Sequence, residues 1–90
     1  MAHYVVETYL SRMRTGGFEA CTAQMARAAE ELRADGMSVR HLRSMFLAED
    51  ETCLHFVEAP SIDAVRAVSE RAGIASFRIG PSVLSEAGGA

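Results

Sequence analysis

The sequence predicts an α+β fold in which two helices alternate with four short strands. Hydrophobic residues recur every second position in some segments, which is typical of strands, and every 3.6 positions in others, which is typical of helices. Glycine or proline stands at most of the boundaries between these segments. The 90 residues, 49% of them hydrophobic and 23% charged, have a mean hydropathy of +0.06 and suffice for one core. We expect a single domain over residues 1–84 and a flexible tail of small residues over 85–90.

The first half of the chain predicts a strand followed by a long helix. Residues 3–10 are rich in β-branched and aromatic side chains, and a turn signal follows at Gly16-Gly17. Residues 18–35 place their apolar side chains on one helical stripe, and Gly36 provides the expected left-handed stop. This stripe consists of Phe18, Cys21, Met25, Ala28, Ala29 and Leu32.

A β-hairpin is predicted next. Strands over residues 37–47 and 51–59 flank a turn at Glu49-Asp50, and Pro60 ends the second strand because it has no amide hydrogen to donate. Antiparallel pairing about this turn decides which side chains share a face of the sheet. One face carries the pairs Phe46–Cys53, Ser44–His55 and Leu42–Val57, and the other carries Met45–Leu54, Arg43–Phe56 and His41–Glu58.

A second helix and a last strand complete the pattern. Ser61 is a helix cap, residues 62–72 carry an apolar stripe, and Gly73 is the expected stop. A last strand is predicted over residues 77–84, and it contains Pro81. Since proline is tolerated mainly in edge strands, we expect this strand at an edge of the sheet.

The order β-α-β-β-α-β predicts a ferredoxin-like sandwich with an antiparallel sheet and both helices on one face. Right-handed crossovers place the first and third strands side by side, and we take these two as a parallel pair. On that arrangement Val5, Glu7 and Tyr9 share a face with His55. The opposite, more apolar face is expected to meet the helices, and it comprises Val6, Leu10, Met45, Leu47, Leu54 and Phe56.

The face predicted to lie away from the helices is itself partly apolar. A sheet face in contact with water normally alternates to polar residues. We therefore expect a second copy of the chain to cover it, as a homodimer formed through the sheet face. Its apolar members are Val5, Tyr9, Leu42, Phe46 and Val57.

Charge and composition exclude several classes of partner. Twelve acidic and nine basic residues give a net charge of −3, and the chain has no lysine, so we expect neither nucleic acid nor a membrane as partner. The N-terminus does not have the pattern of a secretory signal. Cys21 and Cys53 are isolated thiols that we expect to be buried, which favours a cytoplasmic protein.

Several runs of residues resemble a small bacterial family of nickel-binding, nickel-responsive proteins, formerly a domain of unknown function. The similarity extends from Tyr4 to Val83, although Val68 stands where many relatives have histidine. The resemblance implies a ferredoxin-like homodimer and, for one branch of the family, divalent nickel bound at the dimer surface for sequestration or detoxification. The matching runs are Tyr4-Val5-Val6-Glu7, Arg40-His41-Leu42-Arg43-Ser44-Met45-Phe46, Glu49-Asp50-Glu51-Thr52-Cys53, Glu58-Ala59-Pro60-Ser61, Arg71-Ala72-Gly73-Ile74 and Phe77-Arg78-Ile79.

The three histidines are the natural candidates for Ni²⁺ ligands, because nickel favours imidazole with carboxylate and water. None of them forms an HxH or HxxxH pair. The predicted hairpin sets His41 opposite Glu58, which is either a two-ligand surface site or an ordinary exposed cross-strand pair. We predict a metal site drawn from His41, His55, Glu58, Glu7 and His3.

Two other classes of function remain open from the sequence. Glu7 beside His55 could form a pocket in which the carboxylate orients the imidazole, as in a small enzyme or a ligand-binding module. The same two residues could equally be a paired polar contact in the dimer seam. A non-catalytic accessory subunit is the remaining alternative, and the sequence identifies no catalytic residue.

Overall fold

Six elements appear in the predicted order in the computed structural model, which describes residues 1–76 and 78–83. They are β1 (Ala2–Tyr9), α1 (Gly17–Ala34), β2 (Arg40–Leu47), β3 (Thr52–Ala59), α2 (Ile62–Ala72) and β4 (Arg78–Ser82). The predicted α+β class and element order are confirmed. Phe77, Leu84 and the predicted tail over 85–90 lie outside the described residues. Neither helix combines the length and apolarity that crossing a bilayer requires.

The four strands form one antiparallel sheet in the order β2-β3-β1-β4. β1 and β3 are neighbours, as predicted, but they run antiparallel, so the expected parallel pairing was wrong. The cause is topological: α1 returns the chain so that β2 runs in the same direction as β1, and the hairpin then inserts β3 between them in the reverse direction. β4 lies at an edge of the sheet, as its Pro81 predicts.

Local signals place the helix ends close to their predicted positions. The Ser61 side chain accepts a hydrogen bond from the Ala64 amide at 3.2 Å, which caps the first turn of α2. Gly73, with φ 71°, ends α2 in the left-handed conformation that glycine adopts at little cost. Ser61 therefore fixes the start of α2 by accepting a hydrogen bond from a free amide of the first turn, and Gly73 fixes its end.

The helices cover the predicted face of β1 but not the predicted face of the hairpin strands. Val6 and Leu10 are buried as predicted, whereas Met45 is exposed on the other face. Antiparallel pairing sets Val6 across from His55, and both side chains are fully buried together with Val57, so His55 and Val57 lie on the helix-covered face against the prediction. The predicted face of the hairpin was wrong because both of its faces carry large apolar residues, so alternation alone does not distinguish them. The main core consists of Val6, Met25, Ala28, Ala29, Leu32, Val39, Val57, Ala59, Ala64, Val65 and Val68.

A β-bulge interrupts the hairpin between His41 and Arg43. The predicted register is correct from Arg43 to Leu47, where for example Ser44 faces His55. Before the bulge the register changes, so that His41 pairs with Val57 and the predicted His41–Glu58 and Leu42–Val57 pairs are wrong. An extra residue in one strand moves everything before it to the other face.

The face of the sheet away from the helices, hereafter the open face, carries a broad apolar surface. Tyr9 is 64% exposed, Met45 46% and Leu47 39%. Val5 and Phe56 pair across β1 and β3 on the same face and are half-buried. The homodimer that would cover this surface stays a prediction.

Candidate functional site

A chain of four polar side chains runs through the interior between the sheet and α1. His41 Nε2 lies 3.0 Å from Ser44 Oγ, and Ser44 Oγ lies 2.7 Å from His55 Nδ1. The other nitrogen of the same ring, His55 Nε2, lies 3.5 Å from Cys53 Sγ. We call this run, Cys53–His55–Ser44–His41, the polar chain.

Strand geometry assembles the polar chain. Cys53 and His55 are two residues apart on β3, so both point to the helix-covered face, and Ser44 faces His55 across the hairpin. His41 and Ser44 are three residues apart and would point to opposite faces of a regular strand. The bulge after His41 returns its ring to the same face as Ser44.

Apolar packing surrounds the inner end of the polar chain. Cys53 and His55 have no exposed surface, and Cys53 packs with Leu10 and Cys21 in a second core cluster. Against that cluster the rings of Phe18 and Phe46 stack, with centroids 5.8 Å apart and planes inclined by 19°. Buried polar groups of this kind are tolerated because each has a hydrogen-bond partner.

Burial keeps the polar chain uncharged at neutral pH. Loss of solvation and, to a smaller extent, the neighbouring His41 lower the pKa of His55 to about 4. Burial also lowers the pKa of His41. The pKa of Cys53 is raised to about 11 by burial and by the nearby Cys21, so this residue is a thiol and not a nucleophilic thiolate.

His3 and Glu58 form a separate pair on the open face. His3 Nε2 lies 3.4 Å from Glu58 Oε2, and about a third of each side chain is exposed, 34% and 27%. The partner of Glu58 is therefore His3 on β1, which faces it directly, and not the predicted His41. Arg40 faces Glu58 from the other side, on β2.

Glu7 and His55 do not meet. Glu7 pairs with Leu54 on the open face, and its carboxylate lies 3.4 Å from the Arg78 guanidinium. His55 points to the helices on the other face, so the predicted Glu7/His55 pocket was wrong. The error follows from the assumed alignment of β1 with β3, because a difference of one residue in register moves a side chain to the other face of the sheet.

The described residues offer fewer ligands at one place than a nickel ion needs. Among residues 1–76 and 78–83, no group of three or more His, Cys, Asp or Glu side chains could hold a metal ion. His3 and Glu58 are an imidazole and a carboxylate of the types that Ni²⁺ accepts, and both are accessible. The ring nitrogens of His55 already bond to Ser44 and Cys53. One chain thus offers two suitable ligands at one place, and water or a second copy would have to supply the others.

Sequence reasoning found some of this arrangement and missed the rest. The Ser44–His55 contact follows from the hairpin register, which the turn residues set. The contact of His41 with Ser44 was missed because nothing in the residues around Leu42 marks a bulge. The His3–Glu58 pair was missed because it depends on the direction of β1 relative to β3.

Together these elements define a ferredoxin-like α+β domain with a buried polar chain on one side of its sheet and an open apolar face on the other. The structure is similar to the crystal structure of SCO4226 from Streptomyces coelicolor A3(2), with a TM-score of 0.70 and 23% sequence identity. The match covers 94% of this chain and 100% of that one, and supports the fold alone. No protein-family model and no curated protein matches the sequence.

Proposed function

We propose that the protein binds a divalent transition-metal ion, nickel by its resemblance to the nickel-binding family, and sequesters or buffers it in the cytoplasm as a homodimer. The observation that carries the proposal is the His3–Glu58 pair. Its imidazole nitrogen and carboxylate oxygen are 3.4 Å apart and both partly exposed on the open face. An ion between them would replace their direct contact with two metal–ligand bonds.

The chemistry of the pair suits nickel. Neutral imidazole and carboxylate are both accepted by Ni²⁺, and water completes an open coordination shell. The carboxylate of Glu58 offsets part of the charge of the ion. Arg40 faces Glu58 on β2 and makes no ion pair with it within the part of the chain described, so the carboxylate is not neutralised by a guanidinium.

The homodimer is supported by the open face. Tyr9, Met45 and Leu47 expose apolar surface there, and a second copy could bury it by presenting the same face. In such an isologous interface both copies present the same residues, and His3 and Glu58 lie on the same face as this apolar surface, so a second copy could bring further ligands to the pair. Ligands from the second copy would then raise the two-ligand pair to a higher coordination number.

The other predicted ligands have different surroundings. Ligation by His41 would require its Nε2 to give up the hydrogen bond to Ser44, unless its other nitrogen were used. His55 would have to break a bond at either ring nitrogen. Glu7 is held by Arg78 on the open face. Their roles as ligands therefore stay predictions that the same experiment decides.

Calorimetric titration of the purified chain with Ni²⁺ tests the proposal. We expect saturable binding that falls by at least about tenfold in His3→Ala and in Glu58→Gln, since even residues that only support metal ligands cost this much. Glu49→Gln, which removes the same charge from the exposed hairpin turn, is the matched control and should bind like the parent. Unchanged binding in both His3→Ala and Glu58→Gln would refute the assignment, and the variants His41→Ala and His55→Ala would then test the alternative ligands.

A further inference from the structure

A cleft outside the metal proposal lies between α1 and the bulged start of β2. Its volume is about 300 Å³, enough for a small metabolite rather than a single water molecule. Four of its six lining residues belong to α1, whereas His3 and Glu58 lie on the open face. The lining residues are Ala26, Ala29, Glu30, Arg33, Arg40 and His41.

The cleft has an excess of positive charge. Two arginines, Arg33 and Arg40, line it together with one acidic residue, Glu30, and Arg40 also faces Glu58 across the strands. Neither arginine forms an ion pair with a carboxylate among the described residues. Arg33 Nη1 lies 3.5 Å from the Val39 carbonyl oxygen, a long hydrogen bond that directs the side chain toward the start of β2. Unpaired guanidinium groups with fixed donors suit carboxylate and phosphate oxygens.

The polar chain ends in this cleft, and the direction of its hydrogen bonds determines what it presents there. Cys53 is a thiol, and its sulfur has His55 Nε2 as its only hydrogen-bond partner within the described part of the chain. If the thiol donates to His55 Nε2, the neutral ring carries its proton on Nδ1 and donates to Ser44 Oγ. The Ser44 hydroxyl then donates to His41 Nε2.

In this direction every donor of the polar chain that lies in the interior is satisfied. His41 Nε2 is then an acceptor, so the neutral His41 ring carries its proton on Nδ1. The reverse direction would make His55 Nε2 donate to a weakly accepting sulfur and leave the buried Cys53 S–H without an acceptor. Hydrogen-bond satisfaction therefore favours the direction that leaves an N–H group on His41, a half-buried residue that lines the cleft.

We propose that this cleft is a binding site for a small oxyanion, a carboxylate or phosphate group of a metabolite-sized molecule. Arg33 and Arg40 supply the positive charge, and His41 supplies an N–H donor from Nδ1. Ser44 and His55 are positioning residues that set which nitrogen of His41 carries the proton. The role of the polar chain is then to keep the neutral imidazole of His41 as a hydrogen-bond donor beside the two arginines.

Binding is tested by NMR titration of the metal-free chain, in buffer with EDTA, with inorganic phosphate in one arm and succinate in the other. We expect saturable shifts of the His41 ring and of the Arg33 and Arg40 side-chain Nε–H signals in at least one arm. The arms distinguish a phosphate site from a carboxylate site. Arg33→Gln and Arg40→Gln should each weaken binding by about tenfold, as the loss of a charge-assisted hydrogen bond does.

Arg27→Gln is the matched control for charge. Arg27 is exposed on the same helix and is not among the lining residues, so its variant should bind as the parent does. Equal weakening in Arg27→Gln would show a diffuse charge effect and overturn the site. The absence of saturable shifts in both arms would do the same. Nickel binding at His3 and Glu58 is measured separately and can fail or succeed without affecting this result.

The donor role of His41 has its own spectroscopic test. Long-range ¹H–¹⁵N correlation spectra of the parent should show the Nδ1–H tautomer for His41 and for His55. In Ser44→Ala the interior bond is lost, and the His41 ring should return toward the Nε2–H tautomer that a solvated imidazole prefers, with weaker phosphate or succinate binding. An Nε2–H tautomer at His41 in the parent would overturn the donor assignment. Circular dichroism establishes that Ser44→Ala is folded.

Discussion

Ser44 Oγ lies 2.7 Å from His55 Nδ1 and 3.0 Å from His41 Nε2, so this hydroxyl joins the two imidazoles that the described residues place on the helix-covered face. It makes Ser44 the partner of two rings at once, while His55 is fully buried. A buried imidazole is stable in that position only while it stays neutral and hydrogen-bonded. Acid sensitivity and the effect of losing the hydroxyl both follow from this geometry.

Stability should fall as the pH decreases from about 6.5 to about 4. Burial lowers the pKa of His55 to about 4 in the folded state, from its ordinary value of 6.5. Between these values the unfolded chain binds more protons than the folded one, so the stabilisation is complete above pH 6.5 and is lost as the pH falls through that range. Its full size is about 3 kcal/mol, since one pKa unit corresponds to about 1.4 kcal/mol. Urea unfolding at pH 7, 5.5 and 4 measures it.

The comparison variant for this pH dependence is His55→Gln. A glutamine at position 55 does not titrate, so the slope between pH 6.5 and 4 should be smaller than in the parent, even if the variant is less stable at every pH. Equal slopes in the two proteins would assign the acid sensitivity to other groups.

Replacement of Ser44 by alanine should destabilise the fold. The change removes the only described partner of His55 Nδ1, and a buried polar atom left without a partner costs about 1–3 kcal/mol. Ser38→Ala is the matched control, because Ser38 is exposed. Urea unfolding of the three proteins at pH 7 gives the free energies of unfolding, and we expect a loss in Ser44→Ala only. Parent-like stability of Ser44→Ala would mean that water replaces the hydroxyl.

Ser61→Ala should lower the stability by about 1 kcal/mol. The Ser61 hydroxyl accepts a hydrogen bond from the Ala64 amide, and alanine cannot replace this cap at the first turn of α2. The exposed Ser76 provides a matched serine-to-alanine control. Thermal unfolding followed by circular dichroism compares the variants with the parent, and an equal decrease for both positions would argue against a specific capping effect.

Met45→Glu should separate the homodimer into folded monomers. Met45 is 46% exposed on the open face, so a carboxylate there is tolerated in a monomer but is costly to bury in an apolar interface. Met13→Glu makes the same change at a residue that is 82% exposed and outside the sheet. Sedimentation velocity should report a dimer for the parent and for Met13→Glu, and a monomer for Met45→Glu. A parent that sediments as a monomer at high concentration would contradict the dimer.

The parts of the fold that local chemistry determines were predictable from the sequence. Ser61 and Gly73 mark the ends of α2 because their effects act within a few residues. The hairpin turn sets the register from Arg43 to Leu47 in the same way. Element order and the edge position of β4 followed from these local features and from general rules of chain connection.

The wrong predictions concern features of the sheet that depend on residues far apart in the sequence. The direction of β1 relative to β3 depends on how the α1 crossover and the hairpin combine, and it determined the position of His3 opposite Glu58. The covered face was not predictable from alternation, because both faces are apolar. The bulge after His41 has no sequence signal, yet it brings that ring to Ser44. The candidate site was therefore predicted in its residue types and only partly in its geometry.

The bulge between His41 and Arg43 also affects how the protein can associate. β2 is an edge strand, and an edge with a regular row of free amides and carbonyls invites pairing with strands of other molecules. The irregular backbone there disrupts that row, and on the far margin Pro81 withholds an amide. Neither border favours continuous growth of the sheet into fibrillar aggregates, so contacts between molecules are directed to flat surfaces and not to lateral extension.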